Sequence, residues 1–172
     1  RLIEEFRQDI QKIKDLADQK DHSSMNVEEN EILGFGEIWS SKMLHDYLTS
    51  LSDIKSSWIN PMEFLVIRNQ EMGANVNWSK SKEAFNQSFQ DMEGKIIMGG
   101  FIASDEEGRP TNLGRNGSDY SASILGSLSE SNSVTIWTDV DGVLTGDPRV
   151  VSKARIIEQM TYDEAVELSY FG

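Results

Sequence analysis

Apolar residues recur at helical spacing in the first third of the chain, and this spacing predicts two helices. From Leu2 to Ala17 they follow one another three and four positions apart, which predicts an amphipathic helix with lysines and acids on its other face. The same spacing returns after the sequence Gly34 to Glu37 and continues to Leu51, so we expect these glycines to precede a second helix. The polar stretch from Gln19 to Asn30 has no apolar period and is predicted to be a loop.

Runs of apolar and β-branched residues predict the strands, which alternate with further helices. Such runs occupy residues 61–68, 95–103 and 133–137, and a charged hairpin tip is predicted at 105–110. Because the strands alternate with helices of ten or more residues, we predict an α/β fold with a mostly parallel sheet, which binds ligands beyond the carboxyl ends of its strands. The remaining helices are predicted from Ser79 or Ser81 to Met92, over Ala122 to Leu128, and from Thr161 or Tyr162 to Phe171.

Composition and charge exclude several classes of protein. The chain has 172 residues, which suits one domain or a large part of one, and a formal charge of −13 from 16 basic and 29 acidic residues. We expect no nucleic-acid partner, because phosphate contacts need a basic surface. There is no cysteine, which excludes disulfides, thiol catalysis and cysteine-bound metal. Apolar runs fall short of the roughly 20 residues of a membrane helix, so we expect no membrane partner and a cytoplasmic location.

The first candidate site is the glycine-bracketed loop at residues 113–119, which precedes an apolar helical pattern. Arg115 presents a planar fork of donors that suits a carboxylate or a phosphate. Asp119 lies four residues later and can accept from an ammonium group, so the two side chains are able to bind both ends of a zwitterion. An alternative stays open from the residues alone, in which Ser118 or Asp119 caps the following helix.

The second candidate site is the loop from Thr138 to Arg149, which follows a predicted strand and is rich in acids and glycines. Its alternating acids superficially suggest calcium, but the ligand series and terminal glutamate of an EF-hand are missing. A nucleotide held by backbone groups, Asp139 and the guanidinium of Arg149 fits the loop better. The chain has neither a P-loop sequence nor a Rossmann glycine sequence after a strand, so neither motif explains the loop.

Four segments of the chain together resemble aspartate kinases, which belong to the amino-acid kinase family. They are Leu113 to Ala122, Ile136 to Val143, Asp147 to Arg149 and Met160 to Gly172, and they are most similar to the kinase portion of bifunctional aspartokinase–homoserine dehydrogenases. The resemblance implies a three-layer α/β/α sandwich with a mostly parallel sheet, present here in incomplete form. It also implies transfer of the γ-phosphoryl group of ATP, with Mg²⁺, to L-aspartate, giving 4-phospho-L-aspartate on the route to lysine, threonine and methionine.

The resemblance also assigns roles to individual side chains. Glu37 would bind the ammonium group of aspartate, although an acid there is also explained by the dipole of a helix that starts at this point. Arg115 would bind the α-carboxylate, Ser118 and Asp119 would complete the pocket, and Asp119 is predicted to be catalytic. The substrate carboxylate itself attacks, so no covalent protein nucleophile is needed, and no side chain is predicted to bind metal. The residues implied to line the ATP site are Thr138, Asp139, Leu144 and Arg149.

We expect residues 1–172 to form part of an aspartate kinase catalytic domain. Aspartate kinases carry a Lys-Phe-Gly-Gly loop that holds phosphates and continue into regulatory ACT domains, and neither segment is matched here. Homo-oligomers are possible in the full-length protein, since dimerisation in the family often uses the regulatory part. Two alternatives remain: a relative acting on glutamate, acetylglutamate, carbamate or UMP, and a non-catalytic ligand-binding or structural core of the same fold.

The unmatched phosphate loop leads to a prediction about activity. Losing the cations that stabilise a transferring phosphoryl group costs orders of magnitude in rate. The 172-residue chain is therefore expected to release ADP from Mg-ATP and L-aspartate little faster than a control without protein. A coupled ADP-release assay measures this rate, and robust turnover would show that the chain needs no further phosphate-binding segment.

Overall fold

The computed structural model describes residues 2–18, 27–51, 53–70, 73–139 and 141–171. The chain divides into two compact units, Arg1–Val134 and Thr135–Gly172. In the described residues the helices are α1 (Leu2–Asp18), α2 (Val27–Ser50), α3 (Trp78–Ser88), α4 (Gly117–Leu128) and α5 (Tyr162–Phe171). The strands are β1 (Ser56–Trp58), β2 (Ile67–Gln70), β3 (Gly73–Val76), β4 (Lys95–Ile97), β5 (Ile102–Ser104) and β6 (Pro110–Asn112).

The strands of the first unit pair in both directions. β1 and β4 run parallel, with Trp58 opposite Ile97, and the chain between them includes α3. The pairs β2–β3 and β5–β6 are antiparallel hairpins, and a parallel bridge between Val66 and Ser104 joins them. A parallel pair connected through a helix is the arrangement expected of an α/β protein. The predicted fold class is therefore confirmed, with hairpins added to its parallel part.

The core of the first unit is built around the segment that leads into β2. Phe64, Leu65 and Ile67 are almost completely buried. The Phe64 ring meets the rings of Phe85 and Phe89 edge-on, with centroids 5.8 and 5.3 Å apart. Such aromatic pairs contribute about 0.5–1.5 kcal/mol beyond the area that they bury. This cluster fixes α3 against β2 and gives the unit its apolar centre.

Helix α3 begins and ends earlier than predicted. Asn77, rather than Ser79 or Ser81, is the N-cap, and its side chain accepts from the Lys80 N–H at 3.2 Å. Ser81 is fully buried, and its hydroxyl accepts from the N–H of Val66 at 3.0 Å and lies 3.2 Å from the Val66 carbonyl oxygen. The predicted cap was wrong because Asn77 offers an equally good acceptor earlier, while Ser81 satisfies a backbone group next to β2.

The predicted strand runs are only partly strands. Residues Pro61–Glu63 form a turn of 3₁₀ helix, so the first run becomes a strand only at Ile67. The second run is a strand only to Ile97 and again from Ile102. Among the described residues no strand forms at 133–137, where the Trp137 side chain is 92% exposed. These predictions were wrong because a short apolar run does not by its period alone distinguish a strand from another buried or exposed segment.

Helix α2 is longer than predicted and contains the glycines that were expected to precede it. Residues 27–30 of the predicted loop are helical, and residues 19–26 lie outside the described residues. Aromatic packing of Trp39 against Phe6 and Phe35, at 5.5 and 5.8 Å, joins α1 to α2. This packing offsets the roughly 1 kcal/mol cost of each glycine inside a helix. Neither α2 nor another described helix combines the length and apolar content needed to cross a membrane.

In the second unit, α5 begins as predicted. Glu164 donates its N–H to the Thr161 hydroxyl at 3.2 Å, and its carboxylate accepts from the Thr161 N–H at 2.7 Å. This reciprocal pair is a capping box, which satisfies donors that the helix itself leaves open. The helix runs to Phe171, which confirms both predicted bounds.

The predicted hairpin tip between β5 and β6 is confirmed, and it is bonded to the neighbouring hairpin. The Glu106 carboxylate accepts from Arg68 at 2.8 Å and from the Asn77 amide at 2.7 Å. These bonds, that of Arg68 foremost, lower the pKa of Glu106 from its usual value near 4.5 to about 2. The ionised carboxylate therefore holds the two hairpins side by side.

This bond predicts a pH-dependent loss of stability in a Glu106→Gln variant. Because folding lowers the pKa of Glu106, its contribution is complete above about pH 5 and disappears as the pH falls toward 2. The variant is expected to unfold at lower urea than the parent chain near neutral pH, and at the same urea below about pH 2. The exposed Glu83→Gln on α3 is the matched control, and an equal gap at both pH values would contradict the assignment.

Candidate functional site

A pocket in the first unit lies between α2 and the beginning of α4. Its volume is about 460 Å³ and it opens broadly to solvent. Three of the residues predicted to bind substrate, Glu37, Ser118 and Asp119, line it. The structure therefore brings together side chains that are separated by about eighty positions in sequence. The other lining residues are Leu33, Phe101, Gly114, Asn116 and Gly117.

The beginning of α4 differs from a capped helix. The N-cap residue Asn116 has left-handed backbone geometry, with φ 57° and ψ 23°, and its side chain makes no capping hydrogen bond. The alternative in which Ser118 or Asp119 caps the helix is ruled out, because both lie inside its first turn. The first N–H groups of a helix have no partner within the helix. Without a side-chain cap, the first turn of α4 keeps donors for a negatively charged ligand.

The carboxylates of Glu37 and Asp119 in this pocket have no partner among the residues that the structure describes. Glu37 is half-buried in the middle of α2, and neither it nor the exposed Asp119 forms a side-chain hydrogen bond or ion pair within the described residues. The dipole of α2 does not explain an acid at Glu37, because the dipole acts within the first turn and Glu37 lies beyond that turn. Elsewhere in this unit, Glu106 and Glu130 are bonded to cationic side chains. A half-buried carboxylate without a partner, such as that of Glu37, is suited to a cationic ligand group, and the exposed Asp119 adds a second negative charge.

Arg115 lies beside the pocket rather than among the residues that line it. Its neighbours Gly114 and Asn116 do line the pocket, and its own side chain is exposed. Arg115 forms no ion pair within the part of the chain that the structure describes. Its guanidinium is therefore available to a carboxylate at the edge of the pocket.

Sequence reasoning missed the residues that hold the pocket together. Phe101 lines the pocket with a backbone φ of 70°, which a bulky residue rarely adopts. The Ser121 hydroxyl accepts from the Phe101 N–H at 2.9 Å and donates to the Gly117 carbonyl at 2.8 Å. The paired glycines before Phe101 and the four-residue spacing from Gly117 to Ser121 were the available signals. Neither of them shows which backbone groups meet in space.

The predicted nucleotide residues all belong to the second unit, where the chain folds back on itself. Leu144 forms an antiparallel bridge with Ile156. On either side of the bridge, Thr145 donates its N–H to the Arg155 carbonyl at 2.9 Å, and Ile157 donates to Val143 at 2.8 Å. This pairing fixes the backbone of the half-buried Leu144, which lies between Asp139 and Arg149 in sequence.

Arg149 is bound to an acid of its own loop. Its guanidinium donates to both carboxylate oxygens of Asp147, at 2.7–3.1 Å, and its N–H donates to one of them at 2.8 Å. The bonds lower the pKa of Asp147 and raise that of Arg149. Nearby in sequence, the Thr138 hydroxyl lies 3.3 Å from a carboxylate oxygen of the exposed Asp139. All four predicted nucleotide residues thus lie within one unit, with Arg149 engaged by Asp147.

The profile of the amino acid kinase family matches residues 3–172 of the chain. The chain belongs to this family. It is 45% identical over 145 residues to bifunctional aspartokinase/homoserine dehydrogenase 1, chloroplastic, of Zea mays, covering 82% of this chain and 15% of that protein. It is 33% identical over 169 residues to bifunctional aspartokinase/homoserine dehydrogenase 2 of Escherichia coli K12, covering 98% and 20% of the two chains.

A solved structure shares the fold of this amino acid kinase chain. It is E. coli aspartokinase III in complex with aspartate and ADP in the R-state, with a TM-score of 0.84 and 31% identity. The match covers 98% of this chain and 38% of aspartokinase III. This member of the amino acid kinase family therefore spans well under half of the relatives that it matches, and its fold is the incomplete α/β fold of an aspartokinase.

The two hydrogen bonds of the Ser121 hydroxyl lead to a prediction about stability. In Ser121→Ala the Phe101 N–H and the Gly117 carbonyl lose a buried partner, and the free energy of unfolding is expected to fall by about 1–3 kcal/mol. The exposed Ser123→Ala, which removes a hydroxyl bonded to the Asp119 carbonyl on the same helix, is expected to change it by less than about 0.5 kcal/mol. Urea unfolding of both variants measures the difference, and equal losses would rule out a special role for Ser121.

Proposed function

We propose that this chain supplies the aspartate pocket and a nucleotide-binding loop of an aspartate kinase. The reaction transfers the γ-phosphoryl group of ATP to the side-chain carboxylate of L-aspartate and yields 4-phospho-L-aspartate and ADP. Similarity to bifunctional aspartokinases and to aspartokinase III supports this activity. Amino-acid biosynthesis leading to lysine, threonine and methionine, and a cytoplasmic location, belong to the same proposal.

The pocket between α2 and α4 is the observation that carries this proposal. Glu37 and Asp119 offer negative charge that has no partner among the described residues, which suits the α-ammonium group of an amino acid. Arg115 offers a fork of donors at the edge of the pocket, which suits the α-carboxylate. Ser118, in the first turn of α4, adds a hydroxyl and a helix N-terminus. An amino acid with a second carboxylate matches this combination of charges.

The reaction requires the two substrates to be positioned and needs no covalent bond to the protein. A side-chain carboxylate oxygen of aspartate attacks the γ-phosphorus in line, the bond from that phosphorus to its bridging oxygen breaks, and ADP leaves with the electron pair. A pocket that holds the α-ammonium and α-carboxylate groups leaves the side-chain carboxylate free to react. Asp119 contacts the substrate from the first turn of α4 and is the side chain that we assign as catalytic, with Glu37 and Arg115 fixing the orientation of the substrate.

Thr138, Asp139, Leu144 and Arg149 form the nucleotide side of the proposal. Leu144 is held half-buried by its bridge to Ile156 and offers an apolar surface to a base. Arg149 would have to exchange Asp147 for a phosphate, which its exposed guanidinium allows. No group of three acidic or histidine side chains that suits a metal occurs among the described residues. Mg²⁺ therefore fits this proposal as an ion carried by the nucleotide phosphates, which is its usual mode in kinases.

Calorimetric titration of the chain with L-aspartate tests the proposed substrate. The parent chain is expected to bind L-aspartate, and Glu37→Gln and Arg115→Ala are each expected to weaken binding roughly tenfold, because each removes one charge partner of the zwitterion. Glu83→Gln, an exposed carboxylate on α3, is the matched control and is expected to bind like the parent.

The same titration distinguishes the other substrates. L-Glutamate, N-acetyl-L-glutamate, carbamate and UMP are expected to give no heat at concentrations at which L-aspartate saturates the chain. Binding of one of these in place of L-aspartate would overturn the aspartate assignment. If neither the amino acids nor the nucleotides give heat, the result favours a purely structural role.

A further inference from the structure

Two adjacent glycines separate the helices that border the pocket. Gly99 and Gly100 follow β4, where the chain passes the Glu37 turn of α2 and then the first turn of α4. A Cβ atom built on Gly99 would lie 3.0 Å from the Glu37 carbonyl oxygen and 3.1 Å from the Glu37 Cβ. A Cβ atom built on Gly100 would lie 2.9 Å from the Ser118 Cα and 3.0 Å from its Cβ and Oγ. The two glycines therefore touch the backbone of two pocket residues on opposite helices.

Space, rather than backbone freedom, explains these glycines. Neither Gly99 nor Gly100 has the positive φ that other residues avoid, so a side chain is compatible with the backbone of both. Contacts of 2.9 to 3.0 Å are shorter than real Cβ atoms normally make, and the atoms that they meet include rigid backbone. A methyl group on Gly100 therefore forces a shift at the first turn of α4, and one on Gly99 requires the Glu37 turn of α2 to give by a few tenths of an ångström.

The segment after the glycines is fixed and is not free to yield in their place. Phe101 donates its N–H to Ser121, and its carbonyl accepts from the Leu113 N–H at 2.8 Å. A Cβ atom on Gly117 would lie 2.9 Å from the Phe101 ring, so that the ring already fills the space beside α4. With the segment held on this side, the added volume of a methyl group displaces α2 or the first turn of α4.

We propose that Gly99 and Gly100 are positioning residues that set the distance between Glu37 and Ser118, and thereby the width of the substrate pocket. This inference rests on the proposed binding of L-aspartate in that pocket. Glu37 acts on one end of the substrate from α2, while Ser118 and Asp119 act from α4. An amino acid spans both sets of groups only when the helices are at the right separation, and displacements of about 0.5 Å are enough to impair a binding constellation.

The test compares three glycine-to-alanine variants of the full 172-residue chain. Gly99→Ala and Gly100→Ala introduce the methyl group next to Glu37 and Ser118. Gly94→Ala is the matched control, because its φ of 75° and a Cβ position 2.3 Å from the Lys55 carbonyl oxygen make it at least as disruptive, away from the pocket. Amide NMR spectra without ligand report the helix displacement, and calorimetry with L-aspartate and with ADP reports binding.

The expected results separate positioning from general damage. Gly99→Ala shifts the amide resonances around Glu37, Gly100→Ala shifts those of Ser118 and Asp119, and both weaken L-aspartate binding roughly tenfold while leaving ADP binding unchanged. Gly94→Ala lowers the melting temperature but leaves these resonances and the L-aspartate affinity as in the parent chain. Unchanged pocket resonances, or parental L-aspartate affinity in both pocket variants, would overturn the proposal.

The design also distinguishes failure of the spacing from failure of the proposed substrate. If the parent chain binds no L-aspartate, the aspartate assignment fails, while the ligand-free spectra still decide whether the glycines set the spacing. If Gly100→Ala does not fold, Gly99→Ala carries the test alone, because its methyl group meets the Glu37 turn of α2 at 3.0–3.1 Å. Parental amide resonances around Glu37 together with parental L-aspartate affinity in that variant would then contradict the spacing argument.

Discussion

One buried hydroxyl holds the backbone segments that border the pocket between α2 and α4. The Ser121 side chain is bonded both to the N–H of Phe101 and to the carbonyl of Gly117, and it is 3% exposed. Through these bonds, the segment after β4 is held against α4 at Phe101. Phe101 keeps an unfavourable positive φ only because its surroundings determine its position. The pocket is therefore a property of backbone contacts among α2, α4 and the segment between β4 and β5.

The acidic side chains of the first unit have two different roles. Glu106 is bonded to Arg68 and Asn77 and holds two hairpins together. Glu37 and Asp119 have no such partner within the described residues, although the backbone of Glu37 is tightly packed against Gly99. A carboxylate left without a cation lowers stability when it is partly desolvated. Sites at which a protein gives up stability in this way are commonly ligand sites, where the ligand supplies the missing charge.

How far the sequence predicts this protein depends on whether a feature is local. The hairpin tip at 105–110 and the helix beginning at Tyr162 were predicted correctly, because charged turns and capping residues act on their neighbours in sequence. The beginning of α2 was predicted wrongly, because packing of Trp39 against Phe6 allows a helix to pass through glycines. The strand expected at 133–137 did not form, since a β-branched run needs a pairing partner.

The candidate site shows the same limit. Arg115, Ser118 and Asp119 are close together in sequence, and their charges lead to the prediction of a zwitterion site, which stays a prediction. The role predicted for Glu37 came from resemblance to a family, because its place opposite Ser118 depends on the path of residues 99–101. Phe101 was missed altogether, since nothing local marks a phenylalanine with positive φ.

A crystal structure of the chain grown with L-aspartate tests the central claim most directly. The account predicts electron density for one aspartate between α2 and α4, with its ammonium group near Glu37, its α-carboxylate near Arg115 and its side-chain carboxylate directed out of the pocket. Density in the separate cavity between α1 and α2, lined by Asp9, Lys12 and Trp58, would contradict it. So would an aspartate bound in the pocket with its side-chain carboxylate held by Arg115.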